Sequence, residues 1–246
     1  MFPLEDPPER VPVAAVLVLV LVCCCGAGQH VTDAVTDRFW GSAPRPDVHS
    51  AAVTAARATA ERRIAQSVAV AAPPGATKVG QSWQALCSPG SHGLKVHDDF
   101  DNICLSRRTS YLRVPAATLT AVLTALHQQL LGAGWSVPRG DVGERRSLTD
   151  PDVLVSPTTP GGVPNSLFDA EYERGDDHLE FKYGGADGAF LAELTSWQQI
   201  RDRLGNAYFN DSHLLTEAAL RAAVTRAGAP SAVIAVAAQR VWFQNG

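Results

Sequence analysis

Residues 168–183, FDAEYERGDDHLEFKY, decide the fold. Phe168, Ala170 and Tyr172 alternate with Asp169, Glu171 and Glu173, and Leu179, Phe181 and Tyr183 alternate with His178, Glu180 and Lys182. A period of two sends successive side chains to opposite faces of an extended chain, so each half predicts a strand with one apolar and one polar face. Arg174-Gly175-Asp176-Asp177 between them has the residues a tight turn needs. The two strands are therefore expected to pair as an antiparallel hairpin, burying one face and wetting the other.

Upstream, residues 116–135 (AATLTAVLTALHQQLLGAGW) carry Leu119, Val122, Leu123, Leu126 and Leu130 at three- and four-residue steps, one face of a helix. Pro115 suits its first turn, and Gly132 or Gly134 its end. Ile103 to Val114 reads as a strand leading into this helix, and Trp135-Ser136-Val137 begins the return. Residues 140–164 (GDVGERRSLTDPDVLVSPTTPGGVP) read as a long irregular connection, of the kind that is mobile or functional. Downstream of the hairpin, a third strand is expected over Ala189 to Leu194. A short helix with Ser196 and Gln199 as a capping box should end near Gly205, a fuller helix should span Ser212 to Ala227, and a closing strand is expected in SAVIAVAAQRVWF, residues 231–243. The order predicts an α+β domain: a mixed or antiparallel sheet with helices on one face, close to the split βαβ, ferredoxin-like plan. Such a fold-level analogy carries no activity.

The N-terminal part has a different character. Residues 11–28, VPVAAVLVLVLVCCCGAG, contain no charge. About 18 residues at 1.5 Å rise make a helix of roughly 27 Å, enough to cross a bilayer. A retained anchor and a cleaved signal both fit. The acidic MFPLEDPPER ahead of the run favours the anchor, while Gly26-Ala27-Gly28 offers a cleavage site. Cys23, Cys24 and Cys25 match a lipidation motif only loosely, since Val20-Leu21-Val22 supplies no small residue before them, and cysteine also serves as a plain small apolar residue. Lys and Arg near the segment barely distinguish its two sides. Cys87 and Cys104 break the tie, because they are the only cysteines outside the leader, and a pair so spaced predicts a disulfide, hence an oxidising space.

Between leader and domain, Asp47 reads as the N-cap of an Ala-rich helix, VHSAAVTAARATAERRIAQSVAV, whose apolar stripe is thin and suits a stalk. Pro73-Pro74-Gly75 ends it. The expected organisation is a short cytoplasmic tail (1–10), a transmembrane anchor or signal (11–28), a juxtamembrane stalk (29–74) and an ectodomain (75–246).

Composition narrows function more than motifs do. A net charge of -4 and a pI near 6.0 give no basic excess for nucleic acid. Arg far outnumbers Lys and there is one Met, the usage of a high-GC bacterial genome. His92, His97, Asp98, Asp99 and Asp101 cluster between the two cysteines, but they lack the spacing of a calcium loop or a zinc site and read as a solvated loop. Gly90-Ser91-His92-Gly93 falls short of a nucleophile elbow, and a disulfide would remove the thiolate of Cys104. His127 falls off its helix's apolar stripe and reads as a partly exposed surface residue. Arg107, Arg108, Arg113, Arg139, Arg145 and Arg146 offer a basic patch, with acidic residues interspersed. No catalytic, cofactor-binding or metal residues are assigned. The sequence leads to a membrane-anchored envelope protein, held by residues 11–28, whose outer domain binds another envelope protein or a surface polymer. The alternative is an extracytoplasmic hydrolase or transferase whose residues converge only in three dimensions.

Overall fold

The structure, a computed structural model, describes residues 44–90, 98–138, 147–149, 168–186, 188–200, 207–225 and 231–245. The leader, most of the 140–164 connection, and His92 and His97 lie outside these residues. Helix α1 (Ala51–Val70) is followed by strands β1 (Thr77–Pro89) and β2 (Asn102–Pro115), a 3-10 turn (Ala116–Thr118) and α2 (Leu119–Gly132). Then come β3 (Phe168–Arg174), β4 (Asp177–Gly185), α3 (Gly188–Trp197), β5 (Phe209–His213), α4 (Glu217–Thr225) and β6 (Ser231–Asn245). The six strands form one sheet in the order β3-β4-β6-β2-β1-β5, every pairing antiparallel.

The hairpin of residues 168–183 is present in the expected register, with Gly175 in the left-handed region (φ 59°) at its turn. The strand over Ile103 to Val114 and the closing strand are also found. The split βαβ plan is not followed: β6 lies between β4 and β2, so no parallel pair forms.

Helices cover both faces of the sheet, not one. On the first face, Ile64 and Val68 of α1 and Leu119, Leu123, Leu126 and Leu130 of α2 pack against Leu112, Val114, Tyr172, Leu179, Phe181, Ile234 and Val236. On the second, Phe190, Leu191 and Leu194 of α3 and Leu220 and Val224 of α4 pack against Tyr111, Val233 and Ala235. Neighbours such as Tyr111 and Leu112, or Val233 and Ile234, thus serve opposite cores, which is why β2 and β6 are apolar in both phases.

Several local expectations give way. The Ala-rich helix forms, but it joins the core through Ile64 and Val68 instead of standing off as a stalk, so the packed unit begins ahead of Pro73. Its N-cap is Ser50, whose Oγ accepts from Val53 N at 3.4 Å, while Asp47 accepts from His49 N. The stretch expected as a third strand is α3: Phe190, Leu191 and Leu194 share a helical face, and a short apolar run does not separate the two states. Ser196 lies inside α3, so the capping box fails. The later helix starts at Glu217, because residues 209–213 form β5 instead. Strand β1 had no sequence signal, since its second-face residues Ser82 and Gln84 are polar yet buried. Among the described residues, no helix is long and apolar enough to cross a membrane.

Candidate functional site

Polar side chains gather on the second face, across the neighbouring strands β4, β6 and β2. Alternation along β4 puts His178, Glu180 and Lys182 on this face, and the pairing register sets Gln239, Ala237 and Ala235 of β6 opposite them. Arg107 and Thr109 of β2 follow on the far side of β6. The expectation that this face is wet fails at its centre: Lys182 is 7% exposed and Arg107 6%.

Arg107 organises the row. Its Nη1 and Nη2 donate to the two carboxylate oxygens of Glu180, each at 3.0 Å, the planar fork-to-fork arrangement that suits guanidinium and carboxylate. The Trp197 ring of α3 lies over the guanidinium, 4.7 Å from centroid to Cζ, and over Lys182 Nζ at 5.7 Å. Lys182 in turn donates to Glu193 of α3 at 3.4 Å. Burial alone would raise the Glu180 carboxyl, but the hydrogen bonds and charge of Arg107, with His178 and Lys182 nearby, more than offset it and hold the group below the usual carboxylate range. Glu180 therefore stays ionised, the opposite of what a general acid needs.

Beyond Glu180 the row opens into a groove of about 460 Å³ lined by Asp176, His178, Glu180, Gln239, Arg240 and Val241. His178 Nε2 stands 3.8 Å from Glu180 and 4.0 Å from Glu171. Arg240 closes one side, paired with Asp177 and, at 3.4 Å, with Asp176. The groove thus mixes a fixed carboxylate, an imidazole and a guanidinium, a set suited to hydrogen-bonding a polar partner.

Gln198 fastens the covering helices to the sheet. Its Nε2 donates to Thr195 O and Leu215 O at 2.8 and 2.7 Å, and its Oε1 accepts from Leu215 N at 3.0 Å and Tyr111 OH at 3.2 Å. Burial pushes the Tyr111 phenol up to about 12.

Of the residues singled out in the sequence, Cys87 and Cys104 form the expected disulfide, directly opposite each other on β1 and β2 with Cα atoms 4.1 Å apart. Both are fully buried. Asp101 acts through its backbone, donating to Asn245 O and accepting from Gly90 N. Among the described residues, no three His, Cys, Asp or Glu side chains come together as metal ligands. The expected arginine patch divides: Arg107 and Arg108 are strand neighbours and face opposite sides of the sheet, while Arg139, Arg145 and Arg146 lie outside the described residues.

His127 is partly exposed, as expected, but the sequence did not show that it has a partner. It is half-buried, and its Nδ1 lies 2.6 Å from Tyr172 OH, which accepts from Leu148 N at 3.1 Å. With burial holding the imidazole below its usual pKa, the consistent pattern is a neutral ring accepting the phenol proton. Trp197 and Gln198 were not anticipated either, because only the tertiary fold brings α3 over β2 and β4. In comparisons with known proteins, the chain matches no family model, no curated protein and no solved structure.

Proposed function

We propose that this chain is a membrane-anchored cell-envelope protein whose extracytoplasmic α+β domain is a binding module. The observation that carries the reading is the Cys87–Cys104 disulfide, set in register near one end of the β1–β2 pair. Such bonds persist in oxidising compartments and are reduced in the cytosol. The charge-free run of residues 11–28 supplies the means of export and retention. Recognition falls to the groove at His178, where Arg107 holds Glu180 in one orientation ahead of any partner, a protein or surface polymer of the envelope.

Shaving of intact cells with protease, combined with thiol labelling under non-reducing conditions, tests the location. The domain should be digested from outside, and Cys87 and Cys104 should label only after reduction. A protected domain with two reactive thiols would overturn the proposal. For the groove, a photo-crosslinking residue at position 178 should yield a defined adduct in cells, while one at the exposed Leu131 on the opposite side of the sheet should not.

A further inference from the structure

A second concavity lies on the other face of the sheet, beneath α1. It has a volume of about 100 Å³, and its lining includes Arg57, Glu61 and Ile64 of α1 and Trp83, Ser106 and Arg108 of β1 and β2. Register explains the grouping. Trp83 pairs with Arg108, and Ser106 sits two residues before Arg108, so these three side chains share the face that α1 covers. Arg57 and Glu61 are one helical turn apart and point down onto them.

The charges here are unequally matched. Arg57 has two carboxylate partners: its Nε donates to Glu61 and its Nη2 to Asp211, each at 2.7 Å, with the rings of Trp83 and Phe209 against it. The guanidinium of Arg108, half-buried on the same wall, makes no hydrogen bond or ion pair among the described residues. Ser106 is 3% exposed and its Oγ has no hydrogen-bond partner. A guanidinium short of an anion, next to a buried hydroxyl short of an acceptor, defines what is missing from the cavity. Waters could fill the space, at about 10–15 Å³ each, but they bring no charge.

We infer that the cavity under α1 is a binding site for a carboxylate, held by the Arg108 guanidinium and the Ser106 hydroxyl against the Trp83 ring. A guanidinium meets a planar carboxylate through two parallel N–H donors, and the hydroxyl supplies a third. The Glu61 carboxylate, tied to Arg57, keeps the guest's charge at the Arg108 end. The volume admits the acid head alone, which can belong to a free small acid or be carried by a larger chain. This site does not depend on where the domain resides, so failure of the envelope reading would leave it standing.

The test uses the full chain in detergent, with tryptophan fluorescence followed at constant ionic strength. Acetate should produce a saturable change with a midpoint on the order of millimolar, as befits so few atoms, and acetamide should produce none. Trp83→Phe should abolish the signal without changing the thermal midpoint by more than a few degrees. Arg108→Gln should weaken binding about tenfold or more, and Ser106→Ala several-fold, as loss of charged and neutral hydrogen bonds implies. Arg108→Lys, which keeps the charge but not the fork, should fall between and guards against misfolding of the first variant. N-acetylalanine binding tighter than acetate would assign the carboxylate to a larger ligand, and acetate binding tighter would assign it to a free acid. A response that never saturates, or is equal for acetamide, or survives in Arg108→Gln, would overturn the site.

Discussion

At the scale of single residues, two polar contacts carry consequences that pH exposes. His127 is held neutral in the fold, whereas in the unfolded chain it titrates near its usual value of about 6.5. A group whose folded pKa is lowered stabilises the fold above the unfolded value and loses that contribution as pH falls through the folded one. His127→Gln should therefore cost about 1 kcal/mol near neutrality, and the gap from the native chain should close below pH 6 in thermal melts taken across the range. Glu180 has the same sign. Its carboxyl is depressed by Arg107, so the pair stabilises above the ordinary carboxylate range and fails on acidification. Removing one partner is worse than removing both: Arg107→Ala strands a half-buried carboxylate and should cost about 1–3 kcal/mol, while Arg107→Met combined with Glu180→Leu should recover most of it. Denaturant melts of the three chains would decide. Neither contact was legible beforehand, because His127 sits off the Leu stripe of α2 and finds its partner 45 residues away on β3.

Elements with a clean period were legible, and those whose period is masked were not. The Leu stripe of α2 and the alternation of β3 and β4 each bury one apolar face, so pattern and structure agree. Strand β1 hides Ser82 and Gln84 beneath other elements, and α3 presents three apolar residues in too short a run, so period alone misassigns both. Helix α1 shows the same limit in packing: its composition resembles a solvated stalk, yet Ile64 and Val68 are core residues. A chain beginning at residue 73 should accordingly fail to fold, and Ile64→Ala should cost about 2–5 kcal/mol by denaturant melt. The close of the β1–β2 pair is just as restrictive. A Cβ on Gly90 would come 1.9 Å from the Phe100 carbonyl oxygen, so Gly90→Ala should force the strand ends apart and lower the thermal midpoint, while the Gly90 N to Asp101 O bond should lose its hydrogen-exchange protection.

For the whole molecule, the sequence conveyed the class, α+β with an antiparallel hairpin, but not that both faces of the sheet are covered. The site was hidden for the same reason, since Arg107, Glu180 and Trp197 meet only once α3 lies across the second face. The disulfide ties β1 to β2 close to the end where Pro89 meets Asn102, and replacing Cys87 and Cys104 by Ser should cost about 2–5 kcal/mol, read as a drop in melting midpoint equal to that on reduction. The strand order bears on timing as well. Because β6 stands between β4 and β2, the two halves of the sheet have no direct ladder to each other until that strand arrives. A nascent chain lacking it holds two half-sheets with open inner borders, and such non-local closure makes folding slow. Delayed closure leaves those borders free to capture a stray extended segment, including that of a second nascent copy.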